Sequence, residues 1–226
     1  MIWFRKKAEG LRSPHAGLRA ELLCEQTLSE LANRPDCDPD TPETRFHAAF
    51  SSVLVGEHEA ARQQLLELLD LPTATTQLSL QAWNALRALH ELPSDADAEV
   101  VRAVVIEWGT QQGLETLAAF DDQRITLLAG NGEIYSVRGP DRTGETARLA
   151  LFLAAEAVIE HTYPHRGPSE HPPPAGHASI RVLTFAGTHV GIGRTATLIR
   201  DVIGGPILSA ATTLREALVA PQEAGT

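Results

Sequence analysis

Three groups of residues in this 226-residue chain carry side chains that could do chemistry. The first is LTFAGTHVGIGRTATLI near the C-terminal end, where His189, Gly191, Gly193 and Arg194 are spaced along a glycine-rich run. Glycines let backbone amides close around an anion, and an arginine beside them adds charge. The same glycines also suit a strand that a neighbouring helix approaches closely. Two alternatives therefore stand: a phosphate- or small-molecule-binding loop from Thr188 to Arg194, or a β-hairpin turning at AGT.

The second group is His161, His165, His171 and His177, with Glu170 beside them. Imidazoles are common metal ligands, but Pro164 interrupts any helix joining His161 to His165. The others lie among prolines, where a ligand would lack supporting partners, so solvated loop histidines are expected and no metal. The third group is Glu107, Glu115, Asp121 and Asp122. Paired carboxylates can do general acid-base work, whereas Asp121-Asp122 fits a turn between strands.

The nine residues GIGRTATLI resemble the signature loop of protein tyrosine phosphatases, in which a strand enters a glycine-rich turn ending in Arg-Thr. That resemblance implies phosphate held by backbone amides and by Arg194. The family's nucleophilic cysteine would fall on Thr188, and the histidine before it on Gly187. A hydroxyl without a base does not replace a thiolate, so no phosphatase activity is expected. The chain leans away from enzymes, with no catalytic residue and no cofactor assigned.

Composition narrows the field further. A net charge of -10 repels phosphate backbones, which argues against a nucleic-acid partner. Apolar residues at 43% and charged residues at 21% are those of a globular protein. Cys24 and Cys37 match no zinc or redox spacing and are expected as free thiols in the cytoplasm. No segment approaches the roughly 20 apolar residues of a membrane span. The opening MIWFRKK lacks the order of a secretory signal.

The elements that must position these groups divide into two lobes, residues 1–93 and 99–220. The first is helical: a helix from Ala16 that stops before Pro35, then helices over 44–55 and 57–71, and a fourth carrying Leu78, Trp83, Leu86 and Leu89 to Pro93. VGEHEAARQQLLELL resembles the middle of a tetratricopeptide repeat, with Gly56 at the turn and Ala61 between close helices. The likeness covers half a repeat and implies a helical hairpin lobe.

After the acidic LPSDADAEV the period shifts to two. Strands are expected over 101–108, 114–120, 124–128 and 133–137, with Asn131-Gly132 as a hairpin turn, giving a four-strand antiparallel meander. A helix over 146–161, apolar almost all round, should be buried against the sheet. Two further strands, or a strand and a loop, and a helix starting at Pro206 complete an α+β domain with helices on one face.

This second lobe, through VVIEWGTQQGLETLAAF, ASIRVLTFAGTHVGIG and GGPILSAATTLREAL, resembles a bacterial protein family to which no activity is attached. The resemblance implies a bacterial cytoplasmic protein and assigns no residue a role. The expected function is a non-enzymatic adaptor whose helical lobe or open sheet edge engages a protein partner, with room for a homo-oligomer. The alternative is a phosphate or small-molecule binder, or an enzyme, built on His189, Gly191, Gly193 and Arg194.

Overall fold

The computed structural model describes residues 15–26, 41–139, 144–165 and 171–223. The helical part comprises α1 (Ala16–Leu22), α2 (Pro42–Leu54), α3 (His58–Leu69), α4 (Thr76–Ala88) and α5 (Asp95–Ala98). The meander follows as β1 (Ala103–Gly109), β2 (Leu114–Phe120), β3 (Ile125–Leu128) and β4 (Ile134–Val137). Then come α6 (Glu145–His161), β5 (His177–Thr184), β6 (Gly187–Arg194), α7 (Thr195–Leu198) and α8 (Gly204–Glu223). Helices and strands occupy different stretches, so the fold is α+β.

The helical lobe forms where the sequence offers caps. Thr41 and Thr75 accept the backbone N–H of Thr44 and Leu78, which satisfies a donor each helix start leaves open. Phe46 and Phe50 meet with ring centroids 4.5 Å apart. Around them Ala49, Leu65 and Leu86 close the lobe's own core, and Ala61 is buried on α3. Both alanines are fully buried, as a close helix pairing requires.

The six strands make one antiparallel sheet in the order β4-β3-β2-β1-β5-β6. Successive side chains on β1 point to opposite faces. Val104 and Ile106 join Leu151 and Ala155 of α6 and Ile207, Leu208 and Leu214 of α8. Ala103 and Val105 face the other way, onto Leu22 of α1 and Leu80 of α4. Helices therefore cover both faces, where helices on one face were expected. The physical reason is that β1 and β2 are apolar on both sides, and an open second face would leave Val105, Ala118 and Phe120 in water. Sealing a side chain the size of Phe120 stabilises the fold by about 1.5–3 kcal/mol.

The seam between lobe and sheet centres on Phe185, at the β5–β6 turn. Trp83 of α4 stacks on its ring at 5.8 Å, and the Arg102 guanidinium lies over the ring at 4.4 Å. Arg87 of α4 donates to the Phe185 carbonyl. At the opposite corner, Thr76 donates its backbone N–H to Asp122.

Four local expectations are corrected. The helix from Ala16 ends at Leu22, Cys24 then takes a left-handed φ of 54°, and residues 23–26 are not helical; positions 27–34 of that expected helix, like Cys37, lie outside the described residues. On α6 only one stripe is buried, with Leu149 54% and Leu153 70% exposed on the other, because α6 has the sheet and α8 beneath it and nothing described above. The β3–β4 link runs over 129–133, one residue longer than the anticipated AGNG: Ala129 N–H bonds the Glu133 carbonyl across 130–132, and the Asn131 side chain accepts the Glu133 N–H. Finally, α8 starts at Gly204, ahead of Pro206, because the Asp201 carboxylate accepts the backbone N–H of Ile203 and Gly204. Those two hydrogen bonds hold the Asp201 carboxyl below its ordinary range. Among the described residues no helix is long and apolar enough to cross a membrane.

Candidate functional site

The Thr188 to Arg194 run is strand β6, paired with β5 from Thr184↔Gly187 to His177↔Arg194. The turn is Phe185-Ala186, one residue earlier than AGT. Gly187 follows it at φ +148°, and a Cβ there would lie 2.9 Å from Pro164 Cβ. Of the four residues singled out, Gly191 and Gly193 pair with Ile180 and Ala178, and Arg194 is exposed. A Cβ on Gly193 would meet Leu198 of α7 at 3.4 Å, whereas Gly191 faces open space. The segment after Arg194 is the short helix α7, not foreseen in the sequence.

His189 lies in a pocket, because period two turns it toward the end of α6. Its Nδ1 is 2.7 Å from Thr162 Oγ1, and that hydroxyl is 2.6 Å from the Val158 carbonyl. A carbonyl can only accept, so the single hydroxyl proton of Thr162 goes to Val158. Thr162 must then accept from His189, which fixes the imidazole as the Nδ1–H tautomer with a lone pair on Nε2. Burial holds the His189 pKa below 6.5, against a smaller opposing pull from the Glu99 carboxylate. The pocket holds about 550 Å3 and is lined by Ala98, Glu99, Ile159, Glu160, His161, Thr162, Tyr163, Pro164, Ala186 and His189.

The acidic group separates. Glu107 and Glu115 sit on neighbouring strands but on opposite faces, since Glu107 pairs with Thr116 and Trp108 with Glu115. Glu115 makes a bidentate pair with Arg215 of α8, at 2.8 and 3.1 Å. It lines a cavity of about 400 Å3 with Trp108, Thr195 and Thr212. Asp121 and Asp122 form the β2–β3 turn and bind Arg102, Arg124 and Thr76.

Glu107 is wholly buried and is the centre of a network the sequence did not reveal. Arg19 of α1 grips both its oxygens, at 2.5 and 3.0 Å, and Ser179 donates to it at 3.1 Å. Arg181 lies 3.7 Å from the same carboxylate and donates to Glu25 at 2.6 Å. Charges alternate through the cluster, which ties α1 to β1 and β5. Thr116 and Ser179 are a legible hint, being hydroxyls that flank Glu107 on adjacent strands.

The histidines of the second group do not converge. His161 Nδ1 meets the Ala157 carbonyl, and the His165 backbone N–H bonds the Thr188 carbonyl at 2.7 Å. His177 pairs with Arg194 in the sheet, and Glu170 lies outside the described residues. Among the described residues no three His, Cys, Asp or Glu side chains gather as a metal ion needs. Comparison with protein-family models, curated proteins and solved structures found no match.

Proposed function

We propose that this protein is a non-enzymatic interaction module that binds an extended segment of a partner protein by strand addition along the outer edge of β6. The observation that carries it is the character of that edge. β6 is eight residues long and pairs with β5 alone among the described strands. The Thr188 carbonyl points away from β5 to reach His165, and by period two the N–H and C=O of Val190 and Ile192 point the same way. Neither makes a hydrogen bond outside β5 to a described residue.

Edges that must stay unpaired usually carry lysine, proline or a bulge. Between Gly187 and Ile192 this edge carries none of them, and Ile192 is 37% exposed beside it. The other edge, β4, is only four residues long, which limits its pairing. A bacterial cytoplasmic setting suits the sparse cysteines. Burial pushes the Cys24 thiol up to about 12, which leaves it chemically quiet.

The test is selection of peptides from a displayed random library, followed by Ile192→Pro. That change removes an outward-facing N–H and no β5 ladder bond. Selected peptides should shift the backbone amide signals of Val190 and Ile192 and lose binding to the proline variant, whose melting temperature should be nearly unchanged. Selection of no binder, or binders indifferent to Ile192→Pro, would overturn strand addition. Sedimentation of the free protein checks whether a second copy takes the same edge.

A further inference from the structure

The pocket at the end of α6 offers a chemistry that does not depend on the β6 edge. His189 is 4% exposed, so its imidazole has little contact with bulk water. Its Nδ1–H is committed to Thr162, and Thr162 to Val158. The remaining polar atom, Nε2, has no partner among the described residues and is not sealed from solvent, so it opens on the pocket its ring lines. A lone pair that opens on a pocket with no protein donor is free to accept one from a ligand. The Glu99 carboxylate acts on the ring, and Glu99 and Glu160 both line the pocket. Ile159 and Pro164 supply apolar wall between the polar His161 and Tyr163.

We propose that this pocket binds a primary ammonium group carried on an aliphatic stem. The ammonium donates to Nε2 of His189 and is neutralised by Glu99, while the stem lies against Ile159 and Pro164. An ammonium presents three rotatable donors at one compact charge, which suits acceptors that do not lie in a plane. Because the ring is held neutral by burial, it accepts this cation and does not repel it. A metal ion is a poorer fit, since the donors do not gather three at a time. The binding stands apart from strand addition, and either could fail alone.

The experiment is an NMR titration of the intact protein, at fixed ionic strength, following the His189 ring nitrogens. The probes are n-butylammonium chloride and its neutral counterpart n-butanol. Butylammonium should move the Nε2 signal saturably and butanol should not. Glu99→Gln, an exposed change that spares the fold, should weaken butylammonium by about two- to fivefold, the range of a partly solvated ion pair. Two further arms separate the sources of such a group: Nα-acetyl-lysine methylamide stands for a peptide lysine and putrescine for a free diamine, and the tighter of the two names the source. An Nε2 signal unmoved by butylammonium, moved equally by butanol, or indifferent to Glu99→Gln would overturn the proposal.

Discussion

Arg19 on α1 holds both oxygens of Glu107 on β1, with Nε 2.5 Å from Oε1 and Nη2 3.0 Å from Oε2, across 88 positions of sequence. The carboxylate it grips has no access to water. This pair, with Ser179 and Arg181 around it, fixes a short helix on the face of the sheet that the N-terminal lobe shares.

Removing Arg19 leaves the buried Glu107 carboxylate with only Arg181, 3.7 Å away and already engaged with Glu25, and breaking a buried pair costs about 3–5 kcal/mol. Arg19→Met should therefore destabilise the protein by an amount in that range in urea unfolding. Adding Glu107→Gln should recover part of the loss, because it removes the stranded charge while Glu25 still faces Arg181. A single variant that loses less than about 1 kcal/mol would show that Arg181 alone suffices to hold Glu107.

The pair on the opposite face should matter less. Arg215 is 37% exposed while it grips Glu115, so solvent screens the interaction and replaces it when broken. Arg215→Ala should cost about 1 kcal/mol or less. A loss equal to that of Arg19→Met would mean that the cavity beside Trp108 excludes water more fully than its walls suggest.

Two glycines of the sheet should respond in opposite ways to alanine. A Cβ on Gly109 would fall 2.1 Å from the Pro174 carbonyl oxygen, so either β1 or the proline segment must move. Gly109→Ala should cost about 1–3 kcal/mol or more. Gly191 meets nothing within 4 Å, and Gly191→Ala should be within about 0.5 kcal/mol of neutral. Thermal melts of the two variants side by side decide the matter, and equal losses would contradict the packing described.

His189 should make the fold sensitive to mild acid. Well above the ordinary imidazole value of 6.5 the residue is neutral in both the folded and the unfolded chain and contributes nothing. As pH falls below 6.5 the unfolded chain takes up a proton that the buried ring resists, so stability drops until the lower folded pKa is reached. His189→Asn keeps a donor near Thr162 but cannot titrate. With Glu99, Glu160 and His161 unchanged around the site, the variant's stability should decline less steeply between about pH 6.5 and pH 5. Parallel pH profiles for the two proteins would sink the assignment.

Alternation and caps made much of this fold legible. LETLAAF and the helical spacing around Phe46, Phe50 and Leu65 act locally, and those elements fall within a few residues of expectation, whereas the acidic LPSDADAEV holds the unforeseen short helix α5. The covering of both sheet faces was also written in the chain, since β1 is apolar at Val104 and Ile106 and again at Ala103 and Val105, a pattern of strands buried on both sides. Glu107 was opaque because its partners Arg19 and Arg181 are remote, and a glutamate near a strand end resembles any solvated charge. The glycines of β6 were ambiguous for a different reason: freedom from a Cβ serves a strand and an anion cup equally, and only pairing with β5 distinguishes them.

The placement of α1 has a consequence for how the protein is made. Glu25 must wait for Arg181, which follows it by 156 residues, a delay of roughly 10–30 s at ordinary rates of chain synthesis. Until β5 has left the ribosome, the first helix has only part of the surface it is built to dock on. Nascent chains stalled before that strand should therefore be easily clipped by protease within the α1 region, with resistance arriving late and in a single step.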